Sequence, residues 1–354
     1  MVLSVNPIGP KILIESMHGI GDLVCILPLI REVREHFSNA YITVLINNSS
    51  LVDILDCSNI RIDKILSINA HIDLIKFITN CFHLRKEKYD IAISSSCTSP
   101  LKAKLVMSII NAREKFGYQF DHKDYGCLYS NYHFVDANNL VLHQMGLNNH
   151  NFRPRLYAKE SDIKTLSIKR RKHVVGVCIG RADPSFKNKF FRKNIVYAKG
   201  WGNFNLHVYN MSLLIKMIMD YDCDVVLIGA KREVEILRAL SKEILLSEKC
   251  HNFVDKTSIS ESIALIKQCD VVVGVDTGMQ HVADAVGVKT VSIFGPTNPR
   301  TQGAYSDLGV FVEYDTPCKY CYGTYNYINC KDRKCLSNIS VDVVFNRIKE
   351  QLEN

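Results

Sequence analysis

No stretch of the 354-residue chain is apolar for long enough to cross a bilayer. The longest runs, such as Leu23–Ile30, cover eight residues, whereas a membrane helix needs about twenty. The opening residues, MVLSVNPIGPKILIE, lack the basic region and apolar core of a secretory signal. Thirteen cysteines are present, but their odd number and scattered spacing do not make a disulfide framework. In a chain this long they point to a reducing cytosol. A full G-x-G-x-x-G is missing, so the usual mode of dinucleotide binding is not supported. No nucleic-acid motif and no basic stripe interleaved with aromatics occurs, which places nucleic acid last among partners.

The composition is that of an ordinary globular protein, with 47% hydrophobic and 23% charged residues. The length suits two domains. The net charge is +8, and it is unevenly spread. Residues 1–160 carry 17 basic and 15 acidic side chains, and residues 201–354 carry 16 and 19. Residues 161–200 carry 11 and 2. A cluster of this kind suits an anionic ligand or an anionic membrane surface, or is a solvated linker.

Short apolar runs alternate with amphipathic stretches. Lys11–Glu15, Tyr41–Asn47, Ile62–Ile68 and Tyr89–Ser95 read as strands, with helices over Leu23–Phe37 and His71–Leu84. Residues 120–172 read as polar and irregular, with a domain boundary near 155–172. A second alternation follows: strands at His173–Ile179, Asp224–Ile228, Cys269–Val275 and Thr290–Phe294, and helices at Ser212–Asp220, Glu233–Leu245 and Glu261–Gln268. Ser258 and Glu261 have capping-box spacing, and Ser340 is placed to cap a last helix, Val341–Leu352. The pattern predicts two doubly wound α/β domains in tandem, with ligands at the carboxyl ends of strands.

Four segments stand at such positions. The turn Ser16–Asp22 follows the first strand, where Gly19 and Gly21 let the backbone bend sharply and approach a ligand. Asp22 there is either a helix cap or a reactive carboxylate. The segment Gly274–His281 carries Asp276, Thr277 and Gly278 at a helix start, where free N–H groups favour phosphate. His281 is either a ligand or a packed core histidine. The basic residues Lys187, Lys189, Arg192, Lys193 and Lys199 follow the strand at His173–Ile179 and are mostly solvated. Cys318, Cys321, Cys330 and Cys335 suit a structural tetrathiolate site for zinc or iron, or are free thiols.

On these residues the sequence resembles glycosyltransferase family nine, the bacterial heptosyltransferases. The resemblance runs from Lys11 to the last helix. It rests on Gly19–Ile–Gly21–Asp22 with Pro28 and Arg31, on Asp276–Thr–Gly–Met–Gln–His281, on Phe294–Gly–Pro–Thr–Asn–Pro299, and on Pro317–Cys–x–x–Cys321 with Cys335–Leu–x–x–Ile–Ser340. It implies the GT-B fold: two Rossmann-like, doubly wound α/β domains facing across a cleft. Residues 1–160 would bind the acceptor and residues 161–338 the nucleotide sugar. Residues 339–354 would form a helix crossing back to the first domain.

The implied activity is inverting, metal-independent transfer of heptose from ADP-heptose to a lipopolysaccharide inner-core acceptor. A different nucleotide sugar, a protein or small-molecule acceptor, or a non-catalytic sugar-nucleotide binder are the alternatives. The resemblance makes Asp22 the general base and Lys199, before Trp201, a phosphate ligand. Glu233 becomes the acid on the ribose hydroxyls, Asp276 the donor-site acid and His281 its helix partner, while Thr277 and Gly278 meet the diphosphate. No catalytic metal is implied, and the enzyme would work in the cytoplasm, with peripheral contact at the inner membrane face. Glu15 stands where the family has a basic residue, Gly202 where it has proline, and Asp284 where it has a small apolar residue. The loop from Gly180 to Lys199 is also longer and more basic than in the family.

Overall fold

A computed structural model describes residues 9–68, 79, 82, 84–96, 100–117, 131–147, 152–168, 170–180, 204–322, 324–330 and 333–354. The chain divides into two units, Met1–Tyr157 and Ala158–Asn354. Most of the helix expected at His71–Leu84, and all of the basic loop with Lys187, Lys189, Arg192, Lys193, Lys199, Trp201 and Gly202, lie outside the described residues.

In the first unit the apolar runs at Lys11–Ser16 and Tyr41–Ile46 become strands buried on both faces beyond their first residue, which requires cover on both sides of the sheet. The elements are β1 (Lys11–Ser16), α1 (Ile20–His36), β2 (Tyr41–Ile46), α2 (Val52–Asp56), β3 (Lys64–Ser67), β4 (Lys88–Ser94), α3 (Pro100–Ile109), β5 (Asn111–Gly117) and α4 (Phe134–Gln144). All strands are parallel, in the order β3-β2-β1-β4-β5. Strand order therefore reverses between β1 and β4, and ligands of doubly wound sheets bind at that point, beyond the carboxyl ends. Leu23, Ile26, Leu27 and Ile30 of α1 are wholly buried. Each such side chain contributes about 1.5–3 kcal/mol of transfer free energy. They fix the helix that follows the Ser16–Asp22 turn.

The second unit contains α5 (Glu160–Thr165), β6 (His173–Cys178), α6 (Phe204–Asp220), β7 (Cys223–Ile228), α7 (Val234–Ala239), α8 (Lys242–Leu246), β8 (Cys250–Asn252), α9 (Ile259–Lys267), β9 (Val271–Val275), α10 (Gly278–Ala285), β10 (Lys289–Ile293), α11 (Pro299–Gln302), β11 (Gly309–Val312), α12 (Tyr325–Asn329), α13 (Lys334–Ser337) and α14 (Val341–Glu353). Its parallel sheet runs β11-β10-β9-β6-β7-β8 and reverses between β6 and β9. Ser258 Oγ accepts the Glu261 N–H at 3.1 Å and Glu261 returns the bond, so the expected capping box starts α9. Ser340 caps α14, accepting from Val343 N–H at 3.3 Å. Val341, Val344 and Ile348 of that helix join the core of the second unit. Lys289 Nζ, on β10, also donates to Gln351 O at 2.9 Å.

Two expectations are corrected. Glu233–Leu245 is not one helix: Leu240 turns extended (φ −66°, ψ 152°), and Ser241 caps a second helix by accepting from Ile244 N–H. The region 120–172 is not irregular throughout, since α4 and α5 lie in it. Among the described residues no helix is long and apolar enough to cross a membrane.

Candidate active site

At the reversal point of the first sheet, β1 ends at Ser16 and the chain turns into α1. The cap position is Gly19, in extended conformation, which has no side chain to satisfy the helix start. Asp22, three residues on, folds back so that its Oδ2 accepts the Gly19 N–H at 3.1 Å. An acid in the first turn also faces the positive end of the helix dipole. His18 Nδ1 lies 4.0 Å from the same Oδ2. The Asp22 side chain keeps 28% of its surface, enough to meet a ligand. Capping and reactivity are thus compatible, because capping uses one oxygen only. Gly21 sits beside it in the first turn of α1.

The turn is braced from below. Glu15 is fully buried. Its Oε1 accepts the Met17 N–H at 2.9 Å, and its Oε2 accepts from Ser94 Oγ at 2.7 Å. A buried carboxylate is costly unless hydrogen-bonded; the Met17 bond holds the start of the turn, and the Ser94 bond stitches β1 to β4. Glu15, singled out in the sequence for its charge reversal, is turned into the fold. Asn138 of α4, also fully buried, accepts the Ser96 N–H at 2.9 Å and so fixes the chain leaving β4. Sequence reasoning missed Asn138 because it lies in the stretch read as irregular.

In the second unit β6 ends at Cys178 and runs into Gly180. A Cβ on Gly180 would lie 2.3 Å from Glu233 Cγ, so glycine permits Glu233 to press against this strand end. Glu233 is 5% exposed. Its Oε2 accepts the Ala230 N–H at 2.8 Å and its Oε1 the Arg232 Nε–H at 2.9 Å. Burial, aided by the Glu233 charge, pushes the Cys178 thiol up to about 12. Cys178 in turn abuts Gly274 of β9, whose Cβ would stand 2.8 Å from Cys178 Cβ. Glu233 and Asp276 therefore share the carboxyl edge of one sheet.

Beyond β9, Asp276 Oδ2 accepts from Thr297 Oγ1 at 2.8 Å, tying the start of α10 to the Phe294–Pro299 segment. Thr277 is the cap residue, extended at φ −142° and ψ 161°, but its side chain makes no capping bond. Its Oγ1 is buried with no hydrogen-bond partner among the described residues. The first N–H groups of a helix have no intrahelical acceptor. With Gly278 next in line, they are open to an anion. His281 lies one turn further, partly buried. Asp284, the departure from the family pattern that lies on this helix, is 5% exposed and anchors the loop after α11. It accepts from Tyr305 N–H at 2.8 Å and Ser306 N–H at 3.3 Å, and from Ser306 Oγ. Lys199 lies outside the described residues.

The tetrathiolate expected from the cysteine spacing is not assembled. Among the described residues no three His, Cys, Asp or Glu side chains are gathered as metal ligands. Cys335 packs into the hydrophobic core with Leu336 and Ile339, whereas Cys318 is exposed. Burial and the neighbouring Cys321, Cys330 and Cys318 push the Cys335 thiol up to about 11, and burial raises Cys321 as well.

The family model for glycosyltransferase family 9 (heptosyltransferase) matches residues 81–331. Lipooligosaccharide heptosyltransferase 2 of Campylobacter jejuni serotype O:6 is 24% identical over 347 residues, covering 96% of this chain and 98% of that protein. A family 9 glycosyl transferase from Veillonella parvula superposes with a TM-score of 0.75 at 18% identity, over 97% of both chains. The ADP-heptose lps heptosyltransferase II of E. coli gives 0.68 at 19% identity, over 97% of this chain and 98% of that one. The expected α/β architecture is thus the GT-B fold of these enzymes. With a family model spanning well over half of its length, the chain belongs to glycosyltransferase family 9, the heptosyltransferase family.

Proposed function

We propose that the protein transfers heptose from ADP-heptose to a lipooligosaccharide inner-core acceptor, with inversion and without a catalytic metal ion. The observation that carries this reading is the near full-length match to a lipooligosaccharide heptosyltransferase, joined to the Gly21–Asp22 turn at the first reversal point. The Asp22 carboxylate takes the proton of the acceptor hydroxyl as its oxygen attacks the anomeric carbon from the face opposite ADP. The new glycosidic bond forms as the bond to the β-phosphate oxygen breaks, and ADP leaves with the electron pair. Charge builds on phosphate, and the N–H groups of Thr277 and Gly278 stabilise it without reorganising. Lys199 adds the cation, Glu233 receives the ribose hydroxyls, and Asp276 and His281 border the donor sugar. The work is done in the cytoplasm, with the basic residues of 161–200 touching the anionic inner face of the membrane.

Thermal stability against ADP, UDP, GDP and CMP tests the donor. At about a hundred times the dissociation constant, a selective nucleotide adds about 2.7 kcal/mol. A shift with ADP alone is expected. A shift with UDP or GDP instead overturns the heptose donor and keeps a family 9 transferase with another nucleotide sugar. No shift with any nucleotide points either to a scaffold or sensor or to a donor site that needs the sugar or the acceptor for binding.

A further inference from the structure

The two oxygens of Asp22 have different surroundings. Oδ2 accepts the Gly19 N–H at 3.1 Å and faces His18 Nδ1 at 4.0 Å. Oδ1 has no partner among the described residues. His18 stands four residues before Asp22, just ahead of the cap residue Gly19, with its side chain 27% exposed. Its other nitrogen, Nε2, is buried and makes no hydrogen bond among the described residues. A neutral imidazole carries one N–H and one lone pair. A carboxylate oxygen only accepts, so the arrangement calls for the proton on Nδ1, facing Asp22.

We propose that His18 is a positioning residue for the base. Its Nδ1–H, together with the Gly19 N–H, holds Oδ2 and leaves Oδ1 as the oxygen that receives the acceptor proton. This rests on Asp22 being the base. The helix start does not need His18, since Gly19 N–H and Asp22 already satisfy each other. At 4.0 Å the contact is about 1 Å beyond a formed hydrogen bond. Catalytic hydrogen bonds are commonly long before substrate binds and tighten in the complex. Closing that gap orients the carboxylate plane at the moment when a misplacement of about 1 Å costs on the order of a hundredfold in rate.

The test uses full-length protein, ADP-heptose and a lipooligosaccharide lacking inner-core heptose. His18→Ala is expected to lower kcat about tenfold or more, with the KM for ADP-heptose unchanged. His18→Asn, whose amide N–H₂ stands where Nδ1–H does, restores most of the rate, and His18→Gln, which reaches only the Nε2 position, does not. In an Asp22→Asn background, His18→Ala brings no further loss, as two parts of one device should behave. A wild-type kcat in His18→Ala, beside an inactive Asp22→Asn, overturns the positioning role alone. Rescue by Gln rather than Asn, or an equal loss in all three variants, also overturns it. An Asp22→Asn enzyme at wild-type rate overturns the base assignment first.

Discussion

Gly180→Ala is a one-methyl perturbation that reaches the proposed ribose site through contact alone. The new Cβ would stand 2.3 Å from Glu233 Cγ, 3.3 Å from Glu233 Cδ and 3.3 Å from Ile236 Cδ1. Carbon atoms rest at about 3.5–4.0 Å, so the Glu233 side chain must retreat by more than an ångström. It has nowhere convenient to go, being 5% exposed and held at both oxygens by Ala230 N–H and Arg232 Nε–H. A displaced carboxylate loses its aim at the ribose hydroxyls. A hydrogen bond to a charged group is worth about 1.5–3 kcal/mol. Loss of one weakens ADP about ten- to hundredfold. Calorimetric titration of ADP into the variant measures this directly, with Glu233→Gln as the comparison. A folded Gly180→Ala protein binding ADP within twofold of wild type refutes the ribose role and the reasoning from the glycine.

Three further outcomes are expected. Asp284→Ala removes the acceptor shared by the partly buried Tyr305 N–H and Ser306 donors and lowers stability by about 1–3 kcal/mol; urea unfolding checks it, and an unchanged midpoint contradicts the anchoring role. Iodoacetamide at pH 8 should label the exposed Cys318 rapidly. It should spare Cys178, whose thiol, raised to about 12 by burial, ionises only far above that pH; peptide mass mapping reads both. Purified protein should hold far less than one equivalent of zinc plus iron by elemental analysis, and a stoichiometric ion would mean that Cys318, Cys321, Cys330 and Cys335 converge after all.

Much of the architecture was legible because buried parallel strands announce themselves as nearly continuous runs of Val, Ile and Leu, as in Val271–Val275 and Val225–Ile228. Caps made by serine were legible too, since Ser258 and Ser340 use the side chain best suited to accept a nearby N–H. The helix Phe134–Gln144 escaped notice because its cap is His133, whose Nδ1 accepts the Val135 N–H at 3.1 Å. Histidine is not among the usual caps. The break at Leu240 was hidden because Val234, Leu237, Leu240 and Ile244 continue an apolar period across it. At the candidate site, the Asp22 and Asp276 turns stood out by position and residue type. The inward turn of Glu15 did not, because one sequence does not say that Ser94, 79 residues away, will meet it. The cysteine spacing was legible, but spacing fixes only separation along the chain and does not say that Cys335 packs with Leu336 and Ile339 in the core.

The most direct measurement is the mass of the acceptor after incubation with ADP-heptose. A lipooligosaccharide lacking inner-core heptose is mixed with the wild-type protein or with Asp22→Ala, and the product is examined by mass spectrometry. The account predicts the gain of one heptosyl residue with wild type and none with Asp22→Ala, while both proteins still bind ADP. An acceptor left unchanged by the wild type, or one heptosylated equally by Asp22→Ala, contradicts it.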